Sequence, residues 1–133
     1  MTKIFLAILL SLLGPSNTVK LYVTVKNIQV GKGSVRVEVY NNDVTFLHKY
    51  LVGKTLKATS QSIPFSFDLP VGIYAVAVYQ DFNENQKLDK GWFGVPTEPY
   101  GLSNNFIPIL SAPAFSDCKF KLAGQTSITI NLN

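Results

Sequence analysis

The chain has 133 residues, of which 47% are hydrophobic and 15% charged, with 12 basic residues, 8 acidic residues and a single cysteine. This length suits one domain with a hydrophobic core and is too short for two. One cysteine excludes an intramolecular disulfide and a cysteine-based zinc site. The lysines are spread along the chain without a basic run, which argues against a nucleic-acid partner.

The N-terminal segment has the pattern of a secretory signal peptide. Lys3 precedes an apolar run from Ile4 to Leu13, which is well short of the roughly 20 residues needed to span a bilayer. We therefore expect residues 1–18 to be removed on export and residues 19–133 to form one domain in the periplasm or outside the cell. That mature domain has no expected transmembrane segment, and its partners would belong to the cell envelope or the extracellular space. The alternative is a buried first strand or helix.

The rest of the chain alternates apolar and polar residues with the period of β-strands. The stretch 41–61 is less regular, and there we expect Phe46, Tyr50, Leu51 and Leu56 to reach the core. The run 73–79 is apolar on both faces, which predicts a central strand. Predicted strands lie at 21–25, 35–39, 63–69, 73–79, 118–122 and 127–132, with the first two and the last two joined as hairpins.

Six to seven short strands separated by turns predict an all-β fold, an antiparallel two-sheet sandwich of transthyretin-like or immunoglobulin-like type. The run from Phe67 to Val78 resembles the strand, Pro-Gly turn and strand of transthyretin-like and carboxypeptidase-regulatory-like sandwiches. More than thirty residues lie between Gln80 and Ala114. A loop of that length in a compact domain is usually functional or ordered by something bound.

The centre of this loop resembles the hallmark of a family of small exported bacterial proteins catalogued as a domain of unknown function. That hallmark reads Asp-x-Asn-x-Asn-Gly-Lys-Leu-Asp and then Phe-Gly-x-Pro-x-Glu-x-x-Gly-Phe-Ser-Asn-Asn. Gln86 stands where the family usually has Gly, and Leu102 where it has Phe. The resemblance implies export and a β-sandwich, and it implies no activity. Matching positions are Asp81, Asn83, Asn85, Lys87, Leu88, Asp89, Phe93, Gly94, Pro96, Glu98, Gly101, Ser103, Asn104 and Asn105.

The first part of the loop has the spacing of a calcium site. Calcium loops take side-chain oxygens from positions 1, 3, 5 and 9 and a backbone carbonyl from position 7. Two features oppose this interpretation: Gln86 replaces the Gly of position 6, and Trp92 replaces the Glu of position 12, so Glu98 or Asn104 would have to complete the shell. The alternative is that these side chains hold the loop in Asx turns without a metal. The candidate calcium ligands are Asp81, Asn83, Asn85, the carbonyl of Lys87, and Asp89.

Three classes of function remain. We prefer a non-enzymatic exported binding or structural module whose loop is ordered internally or by calcium. The second is a glycan- or peptide-binding protein that uses Trp92, Phe93 and Tyr100, although these aromatic rings would equally cover an open end of the sandwich. The third is a hydrolase that uses the carboxylates of Asp89 and Glu98. No catalytic constellation is recognised, and no catalytic residue is assigned.

Overall fold

The structure is a computed structural model that describes residues 17–91 and 94–133, and their regular secondary structure is almost entirely β-strand. The predicted signal peptide lies outside the described residues except for Asn17 and Thr18, and Thr18 begins the first strand. A 3-10 turn at Ser103–Asn105 and a short helix α1 at Phe115–Cys118 follow the sixth strand. The strands in the described part are β1 Thr18–Lys26, β2 Ser34–Tyr40, β3 Val52–Lys57, β4 Ile63–Pro70, β5 Gly72–Asp81, β6 Tyr100–Leu102, β7 Phe120–Leu122 and β8 Thr126–Asn131.

The strands form two sheets, which confirms the predicted two-sheet all-β fold. One sheet has the order β4-β1-β8, and the other has the order β3-β2-β5-β6, with β7 paired to the start of β5. The pairing of β1 with β8 is parallel, and the other strand pairs are antiparallel. Since β5 has β2 on one side and β6 and β7 on the other, the prediction of a central strand is confirmed.

The core lies between the sheets, on the faces that the alternation predicts. Val35, Val37 and Val39 of β2 are fully buried, and Phe65 and Phe67 of β4 are each 2% exposed. At about 25 cal/mol per Å² of apolar surface, these aliphatic and aromatic side chains supply the main driving force for folding. Further core residues are Leu21, Val23, Val25, Val76, Val78, Leu122 and Ile130.

The two predicted hairpins are wrong. β1 and β2 belong to different sheets, and so do β7 and β8, because the chain crosses from one sheet to the other at each of these turns. Alternation specifies which face of a strand is buried, but it does not specify which strand pairs with which. The same pattern therefore fits a hairpin and a crossover equally well.

A second, smaller apolar cluster covers part of the outer face of the five-stranded sheet. Phe46 is buried there against Tyr40 and Phe115, with ring centroids 5.3 and 5.9 Å away. Cys118 is fully buried in the same cluster, at the end of α1 and not on a strand as predicted. Burial raises the pKa of the Cys118 thiol to about 11, so it stays protonated at neutral pH.

The irregular region 41–61 follows the prediction only at Phe46. Tyr50, Leu51 and Leu56 are each about half exposed, at 47%, 50% and 46%, so the expectation that they reach the core is wrong. Leu56 lies on β3, which is an edge strand and presents most of its side chains to solvent. Within the described residues, no helix is long and apolar enough to cross a membrane.

Candidate functional site

The long loop, residues 82–99, leaves the sandwich at the end of β5 and returns at the start of β6. These two strands are antiparallel neighbours, with Tyr79 opposite Tyr100. The amide of Gln80 donates to the carbonyl of Pro99 at 2.9 Å. The two ends of the loop are therefore fixed side by side by the sheet itself.

Two buried carboxylates hold the base of the loop. Asp81, 4% exposed, accepts the backbone N–H groups of Asn85 at 3.2 Å and Gln86 at 2.6 Å. Glu98, 6% exposed, accepts those of Phe82 at 2.6 Å and Asp89 at 2.8 Å. Hydrogen bonds to a charged acceptor are stronger than neutral ones. This base network, Asp81 and Glu98, fixes four amide groups of an otherwise irregular segment.

Three side chains converge at the exposed end of the loop, and we call Asn83, Asn85 and Asp89 the tip cluster. The amide nitrogens of Asn83 and Asn85 donate to the two carboxylate oxygens of Asp89 at 2.7 and 2.8 Å. Both hydrogen bonds lower the pKa of Asp89, and the bond from Asn85 has the larger effect. Asp89 is therefore ionised at neutral pH. Its contribution to the free energy of unfolding is lost as the pH falls through this lowered pKa.

The two asparagines of the tip cluster also form turns of the loop backbone. The side-chain oxygen of Asn83 accepts the N–H of Asn85 at 3.2 Å, and that of Asn85 accepts the N–H of Lys87 at 3.0 Å. These are the Asx turns that the metal-free interpretation requires. Glu98 does return to the loop, whereas Asn104 instead donates to the carbonyls of Asp117 and Lys119. The described ranges contain no group of three or more His, Cys, Asp or Glu side chains placed to hold a metal ion.

Gln86 has a backbone conformation that favours glycine. Its backbone φ is +65°, in the left-handed region. That conformation costs a residue other than glycine about 1–2 kcal/mol, whereas glycine loses about 0.4–1 kcal/mol through the entropy of the unfolded chain. We expect Gln86→Gly to raise the free energy of unfolding by about 0.5–1 kcal/mol in urea denaturation. Lys87→Gly is the control, because Lys87 is the next residue and does not have a positive φ. This variant should have a lower free energy of unfolding. A loss of stability in both variants would contradict the left-handed conformation of Gln86.

The predicted aromatic surface is only partly visible. Trp92 and Phe93 lie outside the described residues. Tyr100 is half-buried at the start of β6 and packs against the second apolar cluster. The two carboxylates considered for hydrolysis are joined through the backbone, since the N–H of Asp89 donates to Glu98.

The segment Ser103–Asn105 forms a structural clasp that the sequence did not identify. The buried Ser103 hydroxyl donates to the Cys118 carbonyl at 2.6 Å and accepts the N–H of Val76 at 2.9 Å. The Asn105 side chain binds the backbone of β8, donating to Thr129 at 3.1 Å and accepting from Asn131 at 3.0 Å. The clasp therefore joins both sheets and α1. In the sequence, its only indication is a run of three small polar residues directly after a strand.

Comparison with known proteins gives one match. A family model described as an uncharacterised protein conserved in bacteria (DUF2141) matches residues 23–130. The matched region contains both sheets, the long loop and the clasp. Neither the curated proteins nor the solved structures gave a significant match.

Proposed function

The chain belongs to this family of uncharacterised bacterial proteins, and we propose that it is an exported, non-enzymatic binding module whose long loop takes up Ca²⁺ at the tip cluster. The base network prefolds the loop without an ion, and the ion adds stability at the exposed end. Convergence of Asn83 and Asn85 on the carboxylate of Asp89 is the observation that carries the proposal.

A non-enzymatic role is supported by the way the loop carboxylates are used. Both oxygens of Asp81 and both of Glu98 accept backbone N–H groups. A general acid or base must present a free oxygen to its substrate at hydrogen-bonding distance. The single histidine, His48, is exposed and lies on the separate segment 41–50. These groups serve the conformation of the loop.

Calcium uptake is supported by the chemistry of the donors. Asp81, Asp89 and Glu98 lie on one short hairpin, and none of them forms a salt bridge with a described lysine or arginine. A 180° rotation of either Asn amide exchanges nitrogen for oxygen at the same point. Hard oxygen ligands of this kind suit Ca²⁺. The rotation breaks the hydrogen bonds from the Asn amides to Asp89 and also the Asx turns that the same two side-chain oxygens form. Contacts between the ion and the oxygens would replace them.

Calcium titration of the mature protein tests this site. We expect isothermal titration calorimetry to give one Ca²⁺ per chain. Asp89→Asn removes one ligand charge and keeps the shape, so affinity should fall about tenfold or more. Asp43→Asn makes the same charge change at an exposed position on the separate segment 41–50 and should bind as wild type. Equal calcium affinity of wild type and Asp89→Asn would show that the tip cluster is not the calcium site.

Export is tested separately. The full-length chain, expressed with its own N-terminus in a bacterial host, should be recovered outside the cytoplasm without its N-terminal signal segment. Intact-mass spectrometry of the recovered protein gives the mature start, which we expect between Ser16 and Lys20. Recovery of a chain that still begins at Met1 would contradict the signal peptide.

A further inference from the structure

A cleft opens on the outer face of the five-stranded sheet, beside the base of the long loop. It has a volume of about 340 Å³, within the roughly 300–1,000 Å³ range of small-molecule sites. Strand register aligns Thr55, Arg36 and Tyr79 in one row across β3, β2 and β5. We call it the sheet cleft, and the lining residues used below are Arg36, Glu38, Tyr50, Thr55, Tyr79 and Asp81.

The Tyr79 hydroxyl in this cleft lacks a protein partner among the described residues. Tyr79 as a whole is 7% exposed, and its hydroxyl forms no hydrogen bond with another described group. Burial, with Glu38 nearby, raises the pKa of Tyr79 to about 12, so the hydroxyl keeps its proton. The oxygen atom itself is open to the cleft, since the described residues contain no buried side-chain oxygen or nitrogen without a partner. The hydroxyl is therefore available to bond an oxygen atom of a bound molecule.

A fixed ion pair forms the second wall of the cleft. Arg36 Nε donates to Glu38 Oε2 at 3.1 Å, and Arg36 Nη1 donates to Thr55 Oγ1 at 3.2 Å. Tyr40 holds the other oxygen of Glu38 at 3.0 Å. Gly53 leaves room for the guanidinium, since a Cβ there would lie 2.3 Å from Nη2. The guanidinium retains unused N–H donors in a defined orientation.

An aromatic ring completes the site. Tyr50 is 47% exposed, and the guanidinium carbon of Arg36 lies 4.7 Å from its ring centroid. This stacking holds the ring and leaves part of it open to the cleft.

The charge balance of the cleft selects the class of ligand. Arg36 and Glu38 neutralise each other at 3.1 Å, and Glu84, which also lines the cleft, is paired with Lys57. Both oxygens of Asp81 accept backbone N–H groups. An anion would meet the Glu38 and Asp81 carboxylates, and a cation would meet the guanidinium. A neutral molecule can satisfy each of these walls if its hydroxyl groups both donate and accept hydrogen bonds and its C–H face packs on an aromatic ring.

We propose that the sheet cleft binds a neutral saccharide ring, with the Tyr79 hydroxyl and the Arg36–Glu38 pair bonded to its hydroxyl groups and Tyr50 against its apolar face. This inference rests on the proposed function, because it gives the binding module its ligand class. It uses residues on β2, β3 and β5 and does not require the tip cluster.

The test uses wild-type protein and two tyrosine variants. Glucose, galactose, mannose, N-acetylglucosamine, maltose and cellobiose are screened by saturation-transfer NMR, and the best binder is titrated. We expect at least one to bind in the millimolar range or tighter. Tyr79→Phe should weaken it about fivefold to tenfold, which is the worth of one good hydrogen bond. Tyr22→Phe, on β1 of the other sheet, should bind as wild type.

The thermal stability of Tyr79→Phe keeps the test interpretable. Because the hydroxyl has no described partner, its removal should leave the melting temperature unchanged or raise it, so weaker binding cannot be attributed to unfolding. Binding of none of the six sugars, or equal binding by wild type and Tyr79→Phe, would overturn the proposal. Calcium is titrated into the same samples, so that failure of saccharide binding at the sheet cleft is distinguished from failure of calcium binding at the tip cluster.

Discussion

Replacing Gly33 by alanine is expected to lower the free energy of unfolding by about 3–5 kcal/mol, among the largest effects of any single change in this chain. Gly33 has a φ of +65°, and a Cβ built on it would lie 2.0 Å from the carbonyl oxygen of Asp81 and 2.8 Å from that of Phe82. Both contacts are with backbone, so relief requires the end of β5 to move. The base network would be displaced with it.

Gly124→Ala is the matched control. A Cβ at Gly124 would meet nothing within 4 Å, and its φ is not positive, so its stability should change by less than about 0.5 kcal/mol. Urea denaturation of both variants measures the difference. Similar stabilities for the two variants would show that the turn before β2 is not packed against the base of the loop.

Ser103→Ala is expected to cost about 2–4 kcal/mol, although it removes only one oxygen atom. The hydroxyl is the partner of two buried backbone groups, the N–H of Val76 and the carbonyl of Cys118. Alanine leaves both without a partner, and each such group costs about 1–3 kcal/mol. The loss should appear in the urea midpoint with little change in the dependence on urea.

Ser127→Ala provides the comparison, because Ser127 is exposed on β8 and its side chain makes no hydrogen bond to a described residue. We expect it to behave as wild type within about 0.5 kcal/mol. Ser103→Ala as stable as Ser127→Ala would contradict the structural role of the clasp.

The sequence predicted the faces of the strands better than their partners. Phe65, Phe67 and Leu69 alternate with polar residues and are all buried, because a side-chain period of two leaves only one arrangement with an apolar interior. The crossovers after β1 and β7 are set by long-range packing, because the glycines in these connections, Gly31, Gly33 and Gly124, are equally compatible with a hairpin. Leu56 has the composition of a core residue, but its strand lies at the edge of the sheet.

The loop was predictable in part for a similar reason. The spacing of Asp81, Asn83, Asn85 and Asp89 is local. The structure brings the last three side chains together at the tip, whereas Asp81 is buried at the base of the loop. Glu98 lies nine residues after Asp89 along the chain, so its contact with the Asp89 amide depends on how the loop folds back. The sheet cleft was invisible in the sequence because Thr55, Arg36 and Tyr79 become neighbours only through pairing of three strands.

Scanning calorimetry with calcium and with chelator tests the account most directly. Calcium bound only to the folded state should add RT ln(1 + [L]/Kd), about 2.7 kcal/mol at a hundredfold excess over Kd. The wild type should therefore melt cooperatively in chelator and at a higher temperature in calcium. The double variant Asp81→Ala with Asp89→Ala should lose the increment and be less stable in chelator as well, because Asp81 holds two backbone amides. A wild type with the same melting temperature in both solutions would contradict calcium binding by the loop.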